Sequence, residues 1–272
     1  MSIIKRILDF YIGASLHVAV AVFALVKMTQ HMFGIDGHDA MAGFAFFATV
    51  AGYNFVKYHT LVLRGPVRLT AWTGSMVAVS AISLVLAGCH FLDIGLAAQA
   101  ATAIFAALTV LYTLPFFPNR RNARNWAGVK IYIVALCWVG VTVALPLLDA
   151  GMAFTADFWF KCLQRFILIF VLILVFEIVD LEKDDPLLQT VPQQIGVRAT
   201  KWLGISLLLV FFLLELLQSV APERQWTANL LLVLLAGAFL LGAHEKRSRY
   251  YSAFWAEAIP IAWYFLVIML KM

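Results

Sequence analysis

Residues 166–185 read FILIFVLILVFEIVDLEKDD. The first ten have no polar atom outside the backbone. The last ten hold Glu177, Asp180, Glu182, Asp184 and Asp185, five of the fifteen acidic residues in the chain. A wholly apolar run of this kind, extended by its neighbours from about residue 156, matches the ~20 residues a helix needs to cross a bilayer. Acids gathered where such a helix ends need an explanation, because carboxylates at a membrane boundary are costly unless something positive answers them.

The same pattern recurs along the whole chain. Of its 272 residues, 63% are hydrophobic and 13% charged, which excludes an ordinary soluble domain. Hydropathy and breakers predict an all-α membrane protein of nine spans: 7–29, 39–60, 69–88, 91–113, 127–147, 156–180, 200–219, 226–243 and 252–271. The third and fourth are parted by the AGCHF stretch. The expected product is one bundle, a single domain over 1–272, around a central cavity. The first run is too long for a signal-peptide core and ends on no small-residue cleavage site, so it reads as a retained span.

Basic residues support that layout. With the N-terminus inside, fifteen of the twenty Lys and Arg fall on inner segments. Arg224 and Lys271 fall outside, and Lys27, Lys161 and Arg165 lie in or near outer helix ends. This is the asymmetry of the positive-inside rule, so the N-terminus is expected on the cytoplasmic side. The net charge of +5 comes from short loops, and membrane topology explains it without a nucleic-acid partner.

The acidic cluster then lies at the cytoplasmic end of the sixth span. At 100° per residue, Glu177, Asp180 and Asp184 fall within about 60° on one helical face. Stacked carboxylates repel and call for a cation, and oxygen ligands in this pattern suit Mg²⁺. The plainer reading is a solvated helix end whose acids pair with Lys183, Arg198 and Lys201.

EIVDLEKDD followed by QTVPQQIG resembles the second aspartate-rich motif of the UbiA superfamily of intramembrane prenyltransferases. Glu177, Asp180, Glu182 and Asp184 fill its acidic positions, and Thr190, Pro192 and Gly196 match its tail. LYTLPFFPNRR, with Gly128 and Lys130, is similar to the family's tyrosine–proline–basic loop. The resemblance implies a prenyltransferase-like enzyme acting on a prenyl diphosphate or another isoprenoid lipid, in a bacterial inner membrane. It implies Mg²⁺ on Glu177, Asp180 and Asp184, and phosphate contacts from Arg120, Arg121 and Lys130. Tyr112 is expected to face the allylic carbon. The charge developing on the departing diphosphate would be stabilised electrostatically, away from water.

The family's first motif is missing its acids. The corresponding stretch is YNFVKYHTLVLRG, in which Asn54 fits but Phe55, Tyr58 and Val62 occupy the acidic positions. The tail of the second motif also departs, with LLQT where a Gly and a basic residue would precede the Thr. Asn54, Lys57 and Tyr58 share a helical face expected to point at Glu177 and Asp180. Three readings stay open. Lys57 replaces part of the metal charge, acting with Asp180 and Asp184 in catalysis; or a single Mg²⁺ survives; or Lys57 is a salt-bridge partner in a lipid-binding or scaffold protein that has lost the reaction.

The remaining polar residues suggest packing. Cys89, Cys137 and Cys162 have no metal-ligand spacing. No histidine pair has the spacing of haem ligands. Glu215 and Glu257, in the seventh and ninth spans, are expected to make interhelical hydrogen bonds.

Overall fold

The computed structural model describes residues 3–37, 39–63, 70–113, 128–218 and 223–270; the side chains of 59–63, 111, 112, 223 and 224 fall outside that description. Among the described residues the chain is all-helical. Six helical segments are long and apolar enough to cross a membrane, or seven if the bent first pair counts as one.

That first pair departs from the expected span over 7–29. Helices α1 (Ile3–Gly13) and α2 (Leu16–Met32) meet at a 58° bend. Ser15 is left-handed at φ 59°, unusual for a residue with a side chain. Helix α1 exposes Ile3, Ile4 and Ile7. It is tied down by Asp9, which accepts a hydrogen bond from the Tyr250 hydroxyl at 2.6 Å and pairs with Arg249.

Helix α3 (Asp39–Leu63) packs along α4 (Ala71–Asp93) more extensively than any other pair. A Cβ on Gly43 would lie 2.7 Å from the His90 ring, so glycine is what lets the two helices close there. AGCHF therefore lies inside α4 and breaks nothing. The turn falls later, at Ile94–Gly95, where the Gly95 N–H donates to Asp149 Oδ1 at 2.7 Å, and α5 (Leu96–Thr113) follows.

Two later helices contain π-helical turns, and each precedes a proline. In the first, α6 (Val129–Val139) passes through Gly140–Ala144 into α7 (Leu145–Asp149). Pro146 has no N–H to offer the Thr142 carbonyl four residues back. Thr29 supplies a donor instead, with Oγ1 2.6 Å from Thr142 O. In the second, Tyr251–Ala256 leads to α11 (Ile259–Met269), which carries Pro260 in its first turn.

Helix α8 (Ala156–Val179) is the core column, with 72% of its apolar window buried against 17% for α4. Its aliphatic residues pack with those of α2, α6, α11, α9 (Val191–Leu213) and α10 (Glu223–Gly242). Arg165 is buried within it and donates to Thr142 Oγ1 at 2.9 Å, with its guanidinium 5.5 Å from the Trp263 ring. Helix α9 starts earlier than the expected 200, because Gly196 at φ 79°, ψ 157° lets a capped first turn bend into the span. A 3₁₀ turn, Leu214–Leu217, extends α9.

Candidate functional site

A cavity of about 1160 Å³ opens among α3, α4, α5, α6 and α8. That exceeds the roughly 300–1,000 Å³ of pockets for drug-sized molecules. Its walls are apolar along most of their length, with Phe44, Ala48, Leu84, Phe105, Val134 and Ile169 among them. Polar side chains gather at the end where α8 stops: Glu177, Asp180, Asp184 and Lys130.

The three carboxylates do not form one helical stripe. Helix α8 ends at Val179 and Asp180 caps it. The N–H groups of Lys183 and Asp184 then turn back onto Asp180 O, at 2.8 and 2.9 Å. Asp180 Oδ1 pairs with Lys183 Nζ at 3.2 Å, as the plainer reading expected. Both side chains are well exposed, so that pair contributes little to stability. Glu177 is buried and its Oε2 accepts the first N–H of α9, from Val191, at 3.0 Å. It thus ties the end of one span to the start of the next, and a carboxylate at a helix N-terminus is favoured by the helix dipole. Lys130 and Asp184 are the charged groups that act on it.

The motif tail has a local physical role. Thr190 is the N-cap of α9 and donates its N–H to Gln193 Oε1 at 2.9 Å; Pro192 stands in the first turn, where no N–H is required; Gly196 supplies the positive φ. Gly128, with φ 70°, caps α6, and its N–H reaches Leu188 O at 3.4 Å, which brings Lys130 beside the acids.

The residues of α3 are directed elsewhere. Asn54 is buried, donating to Ala14 O at 3.1 Å and Ser80 Oγ at 2.9 Å while accepting from Ser15 Oγ at 2.8 Å. Tyr58 donates to Gly13 O at 2.9 Å. Lys57 donates to Ser15 Oγ at 2.9 Å and to Ile12 O at 3.3 Å. All three brace the α1–α2 break, whose backbone carbonyls lack helical partners. The expected approach of Lys57 to Glu177 and Asp180 is not found: its ammonium is held by the Ser15 hydroxyl and Ile12 O at the break, and the carboxylate acting on it is Glu257. Asn54 and Tyr58 still line the cavity. Arg120 and Arg121 lie outside the described residues, as does the side chain of Tyr112.

Among the described residues no three of His, Cys, Asp and Glu converge to hold a metal ion. The described residues therefore do not by themselves form a closed metal site. Mg²⁺ is usually held by one or two carboxylates together with phosphate oxygens, however, and Glu177 with Asp184 at the cavity mouth suits that shared arrangement.

Glu257, expected to make an interhelical hydrogen bond, instead lines the cavity wall, a place not anticipated from the sequence. Its signal was Pro260 three residues later, which marks an irregular turn in a span.

These features define a UbiA-like membrane fold. The chain is similar in structure to a UbiA homolog from Aeropyrum pernix K1 solved in its apo form, with a TM-score of 0.62 and 12% identity over 96% of this chain and 98% of that one. No family model and no curated protein matches the sequence.

Proposed function

We propose that the protein is a UbiA-like prenyltransferase that transfers or processes an isoprenoid from a prenyl diphosphate at the cytoplasmic face, in a nine-span bundle with the N-terminus inside. The observation that carries this is the long apolar cavity ending in Glu177, Asp180, Asp184 and Lys130. Its walls suit an isoprenoid chain. Its acids and base suit a diphosphate bridged by cation, and the fold likeness supports the same reading.

In this reading Glu177, Asp180 and Asp184 would hold a Mg²⁺ together with the diphosphate, and Lys130 would contribute a point charge to it. The ion would supply neutralisation of the charge that develops on the leaving diphosphate. Glu177 has one oxygen engaged by α9, so it holds the acid mouth in shape while its other oxygen faces a ligand. Arg120 and Arg121 are assigned to the diphosphate and Tyr112 to the allylic carbon, from the motif resemblance alone. Asn54, Lys57 and Tyr58 act by positioning: they hold the α1–α2 break against the cavity wall.

One observation favours a second reading, lipid binding without turnover. Helix α3 carries no acid into the cavity, and Asn54, Lys57 and Tyr58 are spent on the break. Consumption of farnesyl and longer prenyl diphosphates by the purified protein separates the two. Mg²⁺-dependent turnover is expected, and Asp180→Asn should lower it about 100-fold. No turnover, with lipid binding undiminished in that variant, leaves the second reading.

A further inference from the structure

The cavity has a second polar patch. Glu257, in the turn that leads into α11, lines the wall, as do Asn54 and Tyr58 of α3. The donors of both neighbours are committed to Ala14 O, Ser80 Oγ and Gly13 O. The Glu257 carboxylate, by contrast, receives no hydrogen bond from the described residues. Two groups act on it electrostatically. Lys57 places its ammonium on Ile12 O and Ser15 Oγ, and the Tyr11 hydroxyl lies 3.2 Å from His17 Nδ1.

A half-buried carboxylate on a largely apolar wall is short of water and is favoured by a donor. Here Lys57 is the cation that acts on it, while its hydrogen-bonding capacity stays open. The nearby ammonium also disfavours a cationic ligand, since like charges repel. What fits is a neutral donor with an apolar body: the hydroxyl of an alcohol or phenol.

We propose that Glu257 binds the hydroxyl of the acceptor in the transfer reaction and takes its proton. This rests on the reading of the cavity as a prenyl diphosphate site. As the hydroxyl oxygen forms its bond to the allylic carbon, the bond from that carbon to the diphosphate oxygen breaks. The diphosphate leaves as an anion toward Lys130, and the hydroxyl proton passes to Glu257.

The test uses 1-naphthol and its methyl ether as probes, in equilibrium binding to the full chain in lipid nanodiscs, with empty nanodiscs subtracted. The wild type should bind the naphthol at least about ten-fold more tightly than the ether, because the ether has no proton to donate to the carboxylate. Glu257→Gln should reduce that preference. The double variant Glu257→Leu/Lys57→Met, which leaves no charge unanswered, should abolish it. Glu177→Gln should retain it. Equal binding of the two probes by the wild type, or a preference unchanged in Glu257→Gln, overturns the proposal, as does a preference lost only in Glu177→Gln. The outcome is separate from the turnover assay: a hydroxyl preference without prenyl diphosphate consumption keeps this site and removes the transfer reaction.

Discussion

Replacing Glu215 with leucine is expected to destabilise the protein by about 3–5 kcal/mol, seen as a large fall in the thermal unfolding midpoint in detergent. The carboxylate is wholly buried at the end of the bundle opposite the acids of α8. Its Oε2 accepts from Gln164 at 2.8 Å, Asn229 at 2.8 Å and Gln218 at 3.0 Å, and Lys161 Nζ lies 3.3 Å from both oxygens. These partners come from α8, from α10 and from Gln218, which caps the 3₁₀ turn after α9. One side chain therefore staples three elements. Its loss would leave an ammonium only 11% exposed, and three amides, without their acceptor. The double variant Lys161→Met/Glu215→Leu should recover much of the loss, because the penalty comes from the unpaired charge rather than from the pair itself. A double variant as unstable as the single one would refute that attribution.

The second large effect is on the cavity. Gly52 lines it, and nothing lies within 4 Å of where a Cβ would stand. Gly52→Trp should therefore fold with little change in thermal midpoint while its indole occupies the space we propose for the isoprenoid chain. Prenyl diphosphate consumption is expected to fall about 100-fold, the scale on which misplacing a bound substrate acts. Gly74→Trp is the matched control, since Gly74 also has open space around it but does not line the cavity. A cavity that plays no part in substrate binding would leave the two variants equally active.

Long apolar runs were readable as helices because a membrane leaves the backbone almost no other way to satisfy its hydrogen bonds. Helix ends were less readable, since several are set by residues far away in the chain. The α1–α2 break depends on Asn54, Lys57 and Tyr58, about forty residues on. The turn before α5 depends on Asp149, and no local breaker forecasts that. AGCHF looked like a boundary because it holds Gly88 and a histidine, yet glycine is tolerated within membrane helices and the His90 ring packs over Gly43. At the site, the acids of residues 177–184 were found from sequence, and Glu177, Asp180 and Asp184 reach one cavity mouth. Their assumed helical stripe failed at Asp180, where the chain turns. Lys57 was misdirected because helical periodicity gives a side chain's face and not the acceptors that compete for it, here the Ser15 hydroxyl and Ile12 O.

The central claim is that the cavity holds an isoprenoid chain with its diphosphate at the acids of α8. The most direct measurement is photo-crosslinking with a prenyl diphosphate carrying a diazirine at the far end of its chain, mapped by mass spectrometry. Label is predicted on cavity residues such as Phe44, Phe105 and Trp138, and it should be displaced by unlabelled farnesyl diphosphate. Label confined to outward-facing residues such as Leu231 and Leu234 of α10, and not displaced, would contradict the account.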